Sequence, residues 1–251
     1  MYKTEIIGFA LVYNKLFGSR NQYADLGEFY VSESYRRQKV GEKLFNIVCN
    51  EAKIIGAKKL YISAHSAKES IAAYKKYGCT LATESNAEHI AKEPYDLQLE
   101  YDLSARIYQV EDKEKYKDLL LLADEQWDMV EKYLDKSTMY VLDDCGVKGE
   151  IIVVEMDNGV LEIKNLAVLP DFQHCGYGKK LIEFVCEKYK EQFNTLQVGT
   201  GDSPLTIPFY EKCGFVKSHI IKNFFTKNYD HPIFEEGVQL VDMIYLKKNL
   251  K

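Results

Sequence analysis

Long apolar runs are missing from this chain of 251 residues. No stretch approaches the roughly 20 apolar residues that span a bilayer. The opening MYKTEIIGFA carries one lysine and too short an apolar run to serve as a secretory leader. These absences lead to the expectation of a cytoplasmic protein with no membrane partner. Cysteine pairing is missing as well. The six cysteines (Cys49, Cys79, Cys145, Cys175, Cys186 and Cys213) include no Cys-x-x-Cys pair and no histidine at ligand spacing. That argues against a disulfide framework and against a zinc site, so no metal is expected. Basic charge is in deficit too. The net charge is −5, whereas a nucleic-acid binder needs a basic face to displace phosphate counterions. No nucleic-acid partner is expected.

What is present has the proportions of a globular protein, with 46% hydrophobic and 28% charged residues. The length suits one large domain or two ordinary ones. Within that frame the chain repeats itself. RRQKVGEKLF is followed by AAYKKYGCTLA, and FQHCGYGKKLI is followed by PFYEKCGFVKS. Gly178 follows Gly41 by 137 residues and Tyr210 follows Tyr74 by 136, so the order and spacing of two features are kept. Such self-similarity points to duplicated domains. The join belongs near EYDLSARIYQV, around Ser104, which sets domains of 1–104 and 105–251.

In the second domain ARIYQV reads as a strand, and DKEKYKDLLLLADEQWDMVEKYL as one or two amphipathic helices with an acidic start. TMYVLDD, GEIIVVEMDNG and VLEIKNLAVLP are β-rich runs broken at Cys145–Gly146 and Asn158–Gly159, the latter a hairpin signal. GKKLIEFVCEKYKEQF places Leu181, Ile182, Val185 and Tyr189 on one helical face. TLQVGT is a strand, and PLTIPFYEKCG is a short helix between Pro204 and Gly214. FVKSHIIKNFF and VQLVDMIYLKK close the pattern as strands. The first domain starts at the strand EIIGFALVY and continues through DLGEFYV, a helix, KLYISA, another helix and late strands ending in YDLQLEYDL. It has no counterpart of the second domain's opening strand and helices. The fold class is α/β, mixed α+β in character.

Two glycines, Gly176 and Gly178, stand where a strand gives way to a helix. Backbone without side chains can approach a ligand closely, and the N–H groups at a helix's positive end suit a phosphate. Alone, the pair is weak evidence and reads more readily as a plain structural turn. Taken with EIKNLAVLP before it and FYEKCGF after it, Gln173-x-x-Gly176-x-Gly178 resembles the GNAT superfamily of N-acetyltransferases. That family's pyrophosphate loop for acetyl-CoA reads Arg/Gln-x-x-Gly-x-Gly/Ala. The resemblance covers residues 105–251 and implies two GNAT-like domains, each a mixed, mostly antiparallel central sheet flanked by helices, the first incomplete.

The resemblance also implies roles. The backbone amides of Gln173, His174, Cys175, Gly176, Tyr177, Gly178 and Lys179 would hold the pyrophosphate. Leu166, Ala167 and Val168, at the end of a strand that splays from its neighbour, would pair with the pantetheine arm. Ser203 stands where the family often places an Asn on the cofactor, a departure from the pattern. Tyr210 falls at the position of the general acid that protonates the departing thiolate, and a phenol with an ordinary pKa of about 10 suits that task. Glu162 falls at a general-base position, but it also reads as a solvent-facing strand residue. Asp202, Glu155 or a water alone are competing bases.

Aligned in the same register, the first domain puts Arg36 over Gln173, Lys39 over Gly176, Gly41 over Gly178, Tyr74 over Tyr210 and Asp25 over Glu162. The Cβ of Lys39 is expected to crowd the turn, so this domain reads as a degenerate, non-catalytic copy. The tail NFFTKNYDHPIFEEGVQLVDM brings Tyr229, His231, Phe234, Glu235 and Glu236 together. They either line an acceptor pocket with an acidic rim suited to a cationic amine or pack as a surface loop. Trp127 is a second candidate wall. The function implied is acetyl-CoA-dependent N-acetyl transfer, direct and without a covalent acyl-enzyme, to a primary amine of a small-molecule or peptide acceptor. The alternative is a non-catalytic acyl-CoA binder. The sheet surface left by the first domain's missing elements calls for a cover, from the second domain or from another subunit in a homodimer.

Overall fold

The computed structural model describes residues 5–235 and 237–251. Glu236, one of the expected pocket residues, lies outside the described residues. Contacts divide the chain into two units, Met1–Ala105 with Asp144–Gly146, and Arg106–Asp143 with Val147–Lys251.

The first unit runs β1 (Gly8–Val12), β2 (Tyr23–Val31), α1 (Val40–Ile54), β3 (Lys59–Ala64), α2 (Lys68–Tyr77), β4 (Thr80–Leu81), α3 (Ala87–Lys92) and β5 (Leu97–Asp102). The second runs β6 (Arg106–Val110), α4 (Lys117–Leu120), α5 (Trp127–Leu134), β7 (Thr138–Asp143), β8 (Val147–Met156), β9 (Val160–Val168), α6 (Tyr177–Tyr189), β10 (Thr195–Gly201), α7 (Thr206–Lys212), β11 (Val216–Ile221), α8 (Phe224–Asn228), β12 (Phe234–Glu235), β13 (Val238–Gln239) and β14 (Met243–Asn249).

The second unit's main sheet has the order β11-β14-β10-β9-β8-β7-β6. Among the described residues its parallel neighbours are β9 and β10, joined through α6; the other neighbours are antiparallel. Strand alternation divides the apolar side chains between two faces. Tyr140 and Leu142 of β7, with Ile151 and Val153 of β8, pack among Leu181, Ile182 and Val185 of α6. Met139, Val141 and Ile152 point the other way and pack against Leu120, Val130 and Leu134 of α4 and α5. The sheet is therefore buried on both faces. The hairpin signal at Asn158–Gly159 works as expected, with both residues at positive φ (61° and 71°) between β8 and β9.

The tail differs from the expected long loop and single closing strand. It forms α8 and the small β12–β13 hairpin before β14 begins. Phe225, Ile233 and Leu240 are buried together there. Asp242 breaks VQLVDMIYLKK by accepting from Lys222 Nζ at 2.6 Å and from the Asn223 amide at 2.8 Å. Apolar residues at irregular spacing carry no period, so this small core is not visible in the sequence.

The first unit's sheet has the order β1-β2-β3-β5-β4, with β2 and β3 parallel and α1 between them. Strand by strand this matches β8-β9-β10-β14-β11. The counterparts of β6, β7, α4 and α5 are absent among the described residues.

Within the first unit, Glu100 accepts from Lys59 Nζ at 2.6 Å, Tyr23 OH at 2.5 Å and the Thr83 amide at 3.0 Å. Burial works against its charge, yet these donors win and hold the carboxyl at about 2. A carboxyl lowered on folding stabilises at pH above its unfolded pKa, and that contribution is lost as pH falls through the folded value. The thermal midpoint should therefore fall as pH drops from 4.5 to about 2. Glu100→Gln should start lower and show a shallower slope over that window; an unchanged slope would remove the network from the account of acid stability.

Candidate functional site

β9 and β10 pair for four residues, from Val160 opposite Thr195 to Ile163 opposite Val198, and then part. On the β9 side the cause is a bulge. Ile163 faces Val153 and Asn165 faces Ile152, which leaves Lys164 as the extra residue. On the β10 side it is space. A Cβ on Gly199 would lie 2.6 Å from the Met243 sulfur, and one on Gly201 would lie 2.5 Å from Leu240 Cδ1. The parted strand ends open a cavity of about 370 Å³.

Leu166, Ala167 and Val168 lie on its β9 wall, with Gln173 beyond them at the loop. Tyr210 enters from α7, and Tyr229, Phe234 and Glu235 enter from the tail. Of the tail's two expected arrangements, the structure therefore forms the pocket wall for these three. His231 is not part of it; its ring pairs with Asp230 at 2.5 Å and faces Glu125 at 3.8 Å. Trp127 is not part of it either. Its indole donates to Glu131 at 2.5 Å, and Lys117 lies 4.1 Å over the ring.

The loop before α6 is exposed and turns through the left-handed region twice, at His174 (φ 60°) and at Gly176 (φ 82°). Gly176 caps α6 and, having no side chain, makes no side-chain cap bond to the helix. A Cβ there would meet nothing within 4 Å, so the space over this residue is open to a ligand. Gly178 is small for a different reason: a Cβ would come 3.1 Å from Phe209 Cζ, so the packing of α6 on α7 sets that position. In the first unit the crowding expected at Lys39 does not displace the backbone. Arg37 and Lys39 both have φ of 62°, the same left-handed turn, held despite the roughly 1–2 kcal/mol that an L side chain costs there.

Tyr210 is buried between Phe209 and Phe215, with ring centroids 5.1 and 5.5 Å away. Burial pushes its phenol up from the ordinary range, so it carries its proton at neutral pH. Glu162 is not a solvent-facing strand residue. It is 3% exposed and accepts from Lys164 Nζ at 2.5 Å, Gln197 Nε2 at 2.6 Å and Tyr245 OH at 3.3 Å. Of this group, Lys164 lies on the cavity wall and Glu162 behind it. Burial, with the Glu162 charge beside it, pushes Tyr245 to about 12. Ser203 is buried, and its Oγ accepts from the Leu205 amide at 3.1 Å, a local turn bond off the cavity wall. Asp202 and Glu155 are exposed.

Several residues of the site went unnamed in the sequence reading. Asp124, between α4 and α5, accepts from Tyr229 OH at 3.1 Å, and burial pushes its carboxyl up. Asn165 lies on the cavity wall, and Glu150 lies behind Ala167. The available signal was a polar interruption of two apolar runs, Glu150 in GEIIVV and Lys164–Asn165 in IKNLAV. Among the described residues no group of three His, Cys, Asp or Glu could hold a metal ion, and no helix is long and apolar enough to cross a membrane.

Comparison with known proteins places this geometry. A model of the acetyltransferase (GNAT) domain matches residues 135–217, and one of the acetyltransferase (GNAT) family matches residues 1–79. An uncharacterized N-acetyltransferase of Bacillus subtilis, YvbK, is 36% identical over 145 residues, covering 56% of this chain and 92% of that protein. Among solved structures, an IAA acetyltransferase from Bacillus cereus has a TM-score of 0.56 at 34% identity, covering 58% of this chain and 99% of its own. A GNAT family acetyltransferase from Elizabethkingia anophelis, with acetyl-CoA bound, has a TM-score of 0.55 at 34% identity, covering 58% and 97%.

The Glu162 network makes a stability prediction. Glu162→Gln leaves Lys164 without its counter-charge and should cost about 1–3 kcal/mol in chemical unfolding. An undiminished stability would mean that solvent takes over the lysine's charge.

Proposed function

The chain belongs to the GNAT acetyltransferase family, and from that premise we propose that its second unit transfers an acetyl group to a primary amine bound where β9 and β10 part. It is an acyltransferase with acetyl-CoA as donor. Several features support a fit to that donor. The loop before α6 is exposed, the space over Gly176 is open, and the first turn of α6 has no side-chain cap. The amides from Gln173 to Lys179 would hold the diphosphate, and the β9 edge from Leu166 to Val168 would take the pantetheine arm as an added strand. When bound, acetyl-CoA supplies the thioester whose acyl carbon is transferred.

The observation that carries the reading is Tyr210 on the wall of a cleft that opens beyond the β9–β10 pairing. Its buried phenol holds a proton for the departing sulfur. Direct transfer from donor to acceptor, both held in the cleft, needs no acyl-enzyme. The acceptor is a small molecule or peptide carrying a cationic amine. Asp124, Glu125 and Glu235 give the cleft wall its negative charge, while the charge of Lys164 is taken up by Glu162. Glu162 acts as base from behind that lysine, through it or through a water. Ser203, bonded to its own turn, keeps at most a packing role beside the donor.

In the first unit the residue at the base position, Asp25, is bonded to His89 Nε2 at 2.8 Å. A lysine replaces the first loop glycine. We assign this unit a non-catalytic role.

Two variants test the reading by thiol release with a panel of amines and by calorimetry with CoA. Tyr210→Phe should lower kcat by about 10²- to 10⁴-fold with CoA affinity kept; undiminished turnover would remove Tyr210 from the acid role. Gly176→Val, forced into a left-handed turn, should weaken CoA binding by at least about tenfold. Unchanged affinity would place the donor elsewhere.

A further inference from the structure

Among the described residues four strands end the two main sheets, β1 and β4 in one, β6 and β11 in the other. Exposed edges are kept from sticking to one another by shortness, by charge or by a bulge. β4 has two residues, β6 begins at Arg106, and β11 carries Lys217 and a bulge at Ser218. β1, GFALV, has none of these defences beyond its five residues. It carries no charge, and the extra residue of its ladder, Gly27, lies on β2.

One face of β1 is open as well. Alternation turns Ala10 and Val12 into the core and Phe9 and Leu11 outward. Phe9 is 50% exposed and Leu11 44%. Tyr30 stands opposite Phe9 on β2, with ring centroids 5.6 Å apart, and is exposed too.

The second unit shows what such a surface receives. Gly8 faces Val31 as Gly149 faces Val168, and Gly27 is the extra residue as Lys164 is, so β1 corresponds to β8. β8 is paired on its other side by β7. Ile152, the counterpart of Leu11, is 0% exposed beneath α4 and α5. The first unit keeps the edge and the apolar face, and no described residue supplies the strand.

The edge is complementary to itself. The Ser32 amide donates to the Ile7 carbonyl at 2.8 Å, and in an antiparallel ladder alternate residues turn their backbone groups to the same side. Ile7, Phe9 and Leu11 therefore bond toward β2, while Gly8, Ala10 and Val12 aim N–H and C=O at the open edge. Consider a second β1 turned about a twofold axis perpendicular to the sheet at Ala10. Gly8 then meets Val12, and Ala10 meets Ala10, as hydrogen-bonded pairs. Phe9 meets Leu11 of the second copy in the closer pairs, with Cα atoms about 4.5 Å apart. Charge agrees with this sense. Glu5 precedes the strand and Lys15 follows it, so antiparallel pairing brings each Glu5 toward the opposite Lys15, whereas parallel pairing would bring like charges together.

We propose that the first unit is the dimerisation module of this protein. Its β1 pairs antiparallel with β1 of a second copy about Ala10, joining the two five-stranded sheets into one and covering Phe9 and Leu11 across an isologous interface. The first unit thereby has a task of its own, whether or not the second unit transfers acetyl groups.

Sedimentation velocity of the full chain at micromolar concentrations is the first test. The wild type should sediment at twice the chain mass of 29.0 kDa. Phe9→Lys with Leu11→Lys, both at exposed positions, should keep the far-UV circular dichroism and weaken association by about hundredfold or more. Ile220→Lys, on the bulged edge β11, should leave association unchanged. Register is read separately by cross-linking. Phe9→Cys and Leu11→Cys, mixed and oxidised with diamide, should join to each other, with the bond between positions 9 and 11 identified by peptide mass mapping. Neither should join to itself, because like positions lie more than about 7 Å apart, beyond disulfide reach. A wild type that stays a single chain overturns the proposal. A dimer that survives the double lysine variant, or that is lost in Ile220→Lys, overturns it as well. A Leu11→Cys disulfide to itself overturns the pairing about Ala10.

Discussion

The parting of β9 from β10 is the constraint on which the rest of the second unit depends. Two parallel strands normally continue their ladder for as long as both remain extended. Here the ladder stops after Ile163 and Val198 because Lys164 is inserted as a bulge on one strand. On the other strand, Gly199 and Gly201 yield their side-chain space to Met243 and Leu240. An opened ladder leaves backbone groups facing a gap, and a gap lined by backbone can take a ligand as though it were another strand. The loop before α6, the phenol from α7 and the acidic residues between α4 and α5 are all arranged around that opening. The first unit repeats the device. β2 and β3 pair only from Tyr23 with Lys59 to Leu26 with Ile62, and Gly27 is the extra residue.

Two buried carboxyls on neighbouring strands show how environment divides chemical roles. Glu162 is met by three donors, an ammonium, an amide and a phenol. Glu150 has only one backbone amide, and burial drives it toward the neutral acid. They lie on adjacent strands of the same sheet, with Glu162 opposite Val154 and Glu150 opposite Ala167, yet one is anchored by three side-chain donors and the other by a backbone amide. The difference comes from which side chains face them across the sheet, not from the residue type.

The internal duplication keeps backbone geometry more faithfully than side-chain chemistry. Arg37 and Lys39 hold the same left-handed turn as His174 and Gly176, because the strand before the loop and the helix after it leave the chain one way to reverse. The chemistry has drifted within that turn. Asp25 in place of Glu162 is bonded to His89, and one of its oxygens has no partner. Tyr74, in place of Tyr210, packs among Phe29, Phe45 and Tyr77.

Sequence alone determined the repeat, the identity and order of most strands and helices, and the loop at residues 173–179. These are local properties, set by alternation, helical period and the glycines that permit a left-handed turn. It also placed Tyr210, because a fixed offset from the loop survives in the chain. Tertiary structure decided the rest. Only the folded sheet revealed that Lys164 shields Glu162 from the cleft, that Phe209 rather than a ligand keeps position 178 small, and that the tail folds into a small core at the cleft wall. Asn165 and Glu150 were polar letters in largely apolar strands. Their meaning depends on which donors reach them across the sheet, and donor geometry between distant segments is not encoded in any local pattern.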